Sequence, residues 1–186
     1  RYTEEEYKAK FEETDPVGWE AIDEVLLKVY PEQEPRHYGP ILKYMLGGED
    51  PLDGISIYDN HEQTFHRHIV SYGMSELYYS PESAKNEFSG WGFEFTFRVV
   101  PFEGDKNADK AKNEPSWAMN MMQNLARYVF DSKKWFEAYH FIPANGPIRL
   151  ECDTKLVGIA FAPDPQLGTI ETPNGEVAFL QMIGIT

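Results

Sequence analysis

Two histidines form the pattern in this sequence that comes nearest to a chemical site. His66 and His68 lie two residues apart in an alternating segment, so a β-strand would project both imidazole rings from one face. Such a pair is half of a zinc site, which needs further ligands. His61 lies in a flanking loop and His140 is remote along the chain. We therefore predict no metal, and keep as the alternative function a metal-dependent hydrolase that uses this pair and nearby carboxylates.

The carboxylates that such a hydrolase would use are Asp50 and Asp53, which lie three residues apart in a turn with Pro51 and Gly54. A calcium loop would need further oxygen ligands at alternating positions and a closing glutamate, and none follow in register. A turn that caps the entry to a strand is the simpler interpretation.

Nucleophilic and phosphate-binding chemistry find no support in the sequence. Cys152 is the single cysteine, cannot form an intramolecular disulfide, and lies in an apolar context typical of an inert buried thiol. The segment 89–93 has two glycines but lacks the third glycine of a dinucleotide loop and the lysine of a P-loop. We predict no catalytic residue and no cofactor.

The elements that position these residues begin with two helices between residues 3 and 30. Thr3 is predicted to cap the first, and Asp15 is predicted to cap the second, with Pro16 at its first position. Apolar residues then follow at spacings of three and four, ending before Pro31. A third helix is predicted from Pro115 to about residue 132.

Strands are predicted at residues 55–59, 66–72, 93–99, 148–152, 156–161 and 176–184. The third of these places three phenylalanines on one face and Glu94, Thr96 and Arg98 on the other, and that polar face is predicted to be either solvated or a binding surface. Helices followed by strands, a helix and more strands predict an α+β fold. Its mostly antiparallel, mixed sheet would pack against the N-terminal helices and the central helix.

The charge and hydropathy of the sequence make two classes of partner unfavourable, nucleic acids and membranes. The formal charge of −14 opposes binding to nucleic acid or to an anionic membrane surface, and no segment is apolar enough to span a bilayer. The 186 residues predict a single domain, with a helical extension at 1–15 and a mobile loop at 103–114. The lone cysteine favours a reducing compartment, so we expect a cytoplasmic protein.

Five sequence blocks, taken in order, resemble the motif series of the suppressor of fused domain family. They lie at residues 44–58, 66–78, 89–98, 124–130 and 172–181, so the resemblance covers roughly residues 16–186. One such block would be weak evidence. Five blocks in the same order with compatible gaps make coincidence improbable.

The resemblance implies an α+β domain without catalytic activity. In animals the family protein is a cytoplasmic regulator of Hedgehog signalling that grips an extended peptide of Gli-type transcription factors between two domains. This chain stops where the first of those domains would end, and together with its different N-terminal helix this favours a bacterial stand-alone member. Some bacterial members are proposed as immunity proteins that neutralise toxins.

The resemblance also implies a partner-binding surface on the strand after His68 and on the strand containing Glu94. An exposed strand edge there would pair with an extended peptide. The side chains that would supply specificity are Ser75, Glu76, Tyr78, Glu94 and Arg98. The competing interpretation is a hairpin turn at 75–78 and an ion pair between Glu94 and Arg98 on a solvated sheet face.

We therefore predict a non-enzymatic protein-binding module whose acidic surface meets a protein or extended peptide, such as a basic toxin. Besides the hydrolase, a scaffold that self-associates through exposed aromatic residues is an alternative. The sequence does not determine the oligomeric state.

Overall fold

The computed structural model describes residues 1–101, 114–150 and 152–186. Three α-helices lie in these ranges: α1 (Glu4–Lys10), α2 (Val17–Val29) and α3 (Ser116–Ser132). The strands are β1 (Arg36–Tyr38), β2 (Gly54–Asn60), β3 (His66–Tyr72), β4 (Phe88–Val99), β5 (Phe141–Pro143), β6 (Gly158–Pro163), β7 (Thr169–Thr172) and β8 (Gly175–Ile185). Apart from Glu114, the loop predicted at 103–114 lies outside the described residues.

These strands form one sheet in the spatial order β1-β2-β3-β4-β8-β6-β5, with β7 paired to β8 beside this path. The β4–β8 pair is parallel and the other pairs are antiparallel. The predicted α+β fold with a mostly antiparallel sheet is thus confirmed. Strands β1, β5 and β7 were not predicted, because three or four residues are too few for a periodic signal.

One face of the sheet packs against α3. Phe93, Phe95 and Phe97 alternate along β4 and are buried there, as their spacing predicts. They meet Met122 and Val129 of α3, which lie on one stripe of that helix. This cluster is the larger part of the hydrophobic core.

The other face packs against α2, whose Ile22 and Leu26 are fully buried. The polar side of β4 belongs to this face, and its Glu94 and Thr96 are both 0% exposed. The prediction that this side is solvated is therefore wrong for these two residues. Glu94 is hydrogen-bonded to the loop that follows β3, and Thr96 is hydrogen-bonded to Asp164. The sequence of β4 alone carries no information about these contacts.

Two local predictions were also wrong. No strand forms at 148–150 or at Cys152, where the chain runs as turns. Asp15 does not cap α2, because Pro16 occupies the cap position and the Asp15 carboxylate instead accepts the N–H of Glu12 at 2.8 Å. An Asp before Pro satisfies the preceding turn equally well.

The N-terminal segment is tied to the body of the fold. Thr3 and Glu6 form the reciprocal capping box of α1, as predicted for Thr3. Tyr7 is 0% exposed, and its hydroxyl donates to Asn174 at 2.7 Å and accepts the N–H of Ser80 at 3.1 Å. No helix in the described ranges is both long and apolar enough to cross a bilayer.

Candidate partner-binding grooves

A single buried carboxylate holds the loop that follows β3. Glu94 in β4 accepts the backbone N–H groups of Gly73 and Ser75, both at 2.9 Å. Its oxygens also accept the hydroxyl groups of Ser71 at 2.5 Å and of Ser75 at 2.6 Å. Complete burial raises the pKa of Glu94, while the serine hydrogen bonds act in the opposite direction. The Glu94 side chain therefore points from the protein interior to the inner side of the loop, and it does not face solvent.

Further hydrogen bonds fix the backbone of the next three residues. Asn174, buried in the turn between β7 and β8, donates its side-chain amide to the carbonyls of Glu76 at 3.0 Å and Tyr78 at 2.9 Å. Two N–H groups at the start of α2 donate to the carbonyl of Leu77 at 3.0 and 3.1 Å. The side chains of Glu76 and Tyr78 thus project from a backbone that buried groups have already placed.

Two glycines permit the close packing of this loop. A Cβ atom on Gly18 would lie 2.1 Å from the carbonyl oxygen of Glu76, so α2 approaches the loop only because residue 18 has no side chain. Gly90 lies on the other side at φ +55°, and a Cβ there would lie 2.7 Å from the carbonyl oxygen of Met74. The N–H of Trp91 donates to that same carbonyl at 2.9 Å.

A groove of about 320 Å³ lies beside the loop, and we call it the acidic groove. Asp53 there accepts the hydroxyl of Tyr78 and lies 3.4 Å from the Nζ of Lys43. Burial, together with the negative charges of Glu82 and Asp53, raises the pKa of the half-buried Glu76. The residues with side chains that line the acidic groove are Tyr44, Met45, Pro51, Asp53, Met74, Ser75, Glu76, Leu77, Tyr78, Trp91 and Phe130.

A second groove, of about 630 Å³, is lined mainly by apolar side chains, and we call it the apolar groove. Gly90 and Trp91 line both grooves, so the two meet there. In the β4–β8 register Phe88 faces Glu176 and Phe93 faces Ala178, which leaves residues 89–92 bulging between them without a partner in β8. The large side chains that line it are Phe88, Trp91, Phe93, Trp135, Phe136, Phe179 and Leu180.

The strands expected to pair with a peptide are interior strands. β3 lies between β2 and β4, and β4 lies between β3 and β8, so each strand already has a neighbour on both sides. The β3–β4 ladder itself runs from Arg67 opposite Val99 to Val70 opposite Thr96. The ends of the strand path are β1 and β5, each three residues long. Short edges of this kind offer little backbone for strand addition. The bulge at 89–92 is the part of β4 that departs from the ladder.

Arg98 belongs to a separate network on the α2 side of the sheet. Its guanidinium donates to Asp164 at 3.1 Å and to Gln181 at 3.0 Å. Asp164 is 1% exposed and also accepts the Nε2–H of His68 at 2.9 Å, and these contacts hold the pKa of Asp164 well below its usual range although burial acts against them. The expected ion pair between Glu94 and Arg98 is absent among the described residues.

The two histidines have other partners than a metal. Burial lowers the pKa of His68, which favours the neutral ring, and in that form its Nδ1 accepts the hydroxyl of Tyr30 at 2.7 Å. The ring nitrogens of His66 bond to the carbonyl of Thr64 at 2.8 Å and to the guanidinium of Arg98 at 3.1 Å. Among the described residues there is also no group of three or more metal-ligating side chains. The ring nitrogens of both histidines are thus hydrogen-bonded within the fold, and Asp50 of the hydrolase alternative pairs with Arg127.

The structure therefore brings Ser75, Glu76 and Tyr78 together at the acidic groove, with Glu94 behind them and Arg98 elsewhere. Sequence reasoning missed Trp91 and Asn174 as site residues. Both lie inside the sequence blocks that carry the family resemblance, at 89–98 and 172–181, which was the available signal.

The fold defines an α+β protein built on one mixed sheet, with two adjoining surface grooves. The family model described as Suppressor of fused protein (SUFU) matches residues 48–186. The Suppressor of fused homolog of Homo sapiens is 34% identical over 180 residues, and that of Mus musculus is equally similar. The chain belongs to the suppressor of fused family. The matched region covers 90% of this chain but only 35% of the length of each relative. The chain thus spans about a third of the length of these relatives.

Solved structures give the same result. The structure described as the Sufu-Fu complex superposes with a TM-score of 0.81 at 34% identity, covering 91% of this chain and 76% of that one. Drosophila Suppressor of Fused gives a TM-score of 0.81 at 36% identity, over 91% of this chain and 42% of that one. A putative homolog from Neisseria gonorrhoeae FA 1090, at a TM-score of 0.57 and 15% identity, covers 91% of this chain and 78% of that one and shows the fold alone.

Proposed function

We propose that this chain is a non-enzymatic protein-binding module that holds an extended segment of a partner protein across the acidic and apolar grooves. The observation that carries the proposal is the meeting of the two grooves at Gly90 and Trp91, beside a loop fixed by buried groups. A preformed concave surface with aromatic walls and few polar groups is typical of a binding site. The similar Sufu-Fu structure is a complex of that relative with another protein, which supports a protein ligand here.

We further propose roles for the five residues expected at the surface. Glu76 and Tyr78 contact the partner, because their side chains line the acidic groove. Ser75 and Glu94 position that loop from inside the protein. Arg98 stabilises the α2 side of the sheet through Asp164.

The chemistry of the partner follows from charge. A net charge of −14 attracts a basic protein and accelerates its association. An immunity role against a basic toxin, a bacterial origin and a cytoplasmic location are consistent with this and stay predictions. The matching curated relatives are human and mouse proteins, so they do not bear on a bacterial origin.

Site-specific photo-crosslinking tests the proposed surface. A benzophenone amino acid at Phe88, which is 50% exposed in the apolar groove, should capture a discrete partner from a lysate of the source cells. The same group at Leu27, 61% exposed on α2, is the matched control and should capture nothing comparable. Trp91→Ala in the Phe88 variant should abolish the capture. Equal capture at both positions, or capture that persists without Trp91, would contradict the proposal.

A further inference from the structure

No cation among the described residues forms an ion pair with the Glu76 carboxylate. The Glu76 side chain is half-buried in the acidic groove. The nearby charges that act on it, Glu82 and Asp53, are both negative. One of its oxygens accepts the N–H of Tyr78 at 3.3 Å, which offsets part of the cost of burial. A half-buried carboxylate without a counter-charge is still costly, and a cationic ligand would reduce that cost.

Two cations contact the wall of the groove, and each has a described partner other than Glu76. Lys43 pairs with Asp53 at 3.4 Å, and its Nζ also lies 4.8 Å from the centre of the Tyr78 ring. The Nζ of Lys133 lies 5.8 Å from the centre of the Trp91 ring. Asp53 is therefore neutralised within the protein, whereas Glu76 is not.

The wall of the groove suits a flat cation. Phe130 stands between two other aromatic rings, with its centre 5.2 Å from that of Tyr44 and 5.7 Å from that of Trp91. All three residues line the acidic groove together with Glu76. A guanidinium group stacks on aromatic faces and donates two parallel hydrogen bonds to a carboxylate, whereas an ammonium group is a compact point charge. Aromatic faces beside a carboxylate thus favour arginine over lysine.

We propose that the acidic groove is a specificity pocket for one arginine side chain of the partner, with the guanidinium paired to Glu76 and stacked on the aromatic wall. This inference rests on the proposed function and names the residue that the extended partner segment must carry. The groove volume of about 320 Å³ accommodates a single long side chain. The apolar groove, which continues from Gly90 and Trp91, would take the apolar residues that flank the arginine.

A phage-displayed library of random 12-residue peptides tests this pocket. The library is selected in parallel on the unmodified protein, on Glu76→Gln and on Glu82→Gln, which removes a neighbouring exposed charge outside the groove lining. Peptides from the unmodified protein and from Glu82→Gln should be enriched in arginine at one aligned position, and those from Glu76→Gln should not. A synthetic peptide of the enriched sequence should lose about tenfold in affinity for Glu76→Gln, and a similar factor when its arginine is replaced by lysine.

A Trp91→Ala variant separates the two ways in which this experiment can fail. If no peptide is enriched, or if the enriched peptides bind Trp91→Ala as well as the unmodified protein, the proposed function itself is overturned. If binding requires Trp91 but shows no arginine preference, or if lysine binds equally well, the arginine pocket alone is overturned. Equal thermal unfolding of Glu76→Gln and Glu82→Gln excludes misfolding as the cause of a difference.

Discussion

The Glu94 carboxylate accepts both the backbone N–H and the hydroxyl of Ser75, at 2.9 and 2.6 Å. No cation among the described residues forms an ion pair with this fully buried carboxyl group, and its hydrogen-bond donors are Ser71 and the loop that follows β3. Because Glu94 belongs to a buried strand, its hydrogen bonds fix the position of the loop that carries Glu76 and Tyr78. A ligand that meets these side chains does not have to order them first, which lowers the entropic cost of binding.

Removing this carboxylate should destabilise the protein. Glu94→Ala leaves the buried N–H groups of Gly73 and Ser75 without an acceptor, so we expect the free energy of unfolding to fall by about 3 kcal/mol. Glu94→Gln keeps one acceptor oxygen and should cost less. Urea unfolding measures both, with the exposed Glu87→Ala as a control that should change stability by no more than about 0.5 kcal/mol. A Glu94→Ala variant as stable as the control would contradict this account.

Asn174 should matter for the order of the loop as well as for stability. Asn174→Ala removes the donor to the carbonyls of Glu76 and Tyr78, and we expect a loss of about 1–3 kcal/mol. Amide hydrogen exchange in residues 76–80 should accelerate more than exchange in β2. Asn86→Ala, at an exposed position, is the matched control. Unchanged exchange at 76–80 would show that Asn174 does not hold this segment.

The close contact between α2 and the loop predicts that a single methyl group added at residue 18 lowers the stability of the protein. Gly18→Ala places a Cβ where it meets the carbonyl oxygen of Glu76 at 2.1 Å, so the helix or the loop must move. We expect a destabilisation of about 1–3 kcal/mol in thermal or urea unfolding. Ala21→Gly in the same helix is the control for helix propensity, with an expected cost of about 1 kcal/mol. If Gly18→Ala instead stabilised the helix, the close approach would be refuted.

Two histidines should contribute a loss of stability as the pH falls below about 6.5, the ordinary pKa of histidine. Burial lowers the pKa values of His68 and His37 in the folded protein, so the unfolded chain takes up protons that the folded protein does not. Below about pH 4, the lowered pKa of Asp164 adds a second loss of the same sign. Urea unfolding at pH 8, 6 and 5 measures the first loss, and it should shrink in a His68→Gln, His37→Gln double variant. A double variant with the same pH dependence would assign the effect to other groups.

The sequence by itself determined the elements whose signal is local. Phe93, Phe95 and Phe97 alternate at the period of a strand, and this alone placed them in the core. The three helices, the main strands and the α+β class followed from similar periodicities and from capping residues such as Thr3. The family resemblance rests on local blocks of residues in the same way, and the family model confirms it.

Tertiary structure alone decided which polar residues line a groove and which are buried. Glu94 and Glu76 are equally acidic in the sequence, yet one lies inside the protein and the other lines a groove. The difference depends on contacts between residues far apart along the chain: α2 covers one sheet face, and Asn174 bonds to a loop almost a hundred positions away. The local sequence of a strand does not predict such contacts. Whether a strand face is buried depends on the element that packs on it and not on the strand itself.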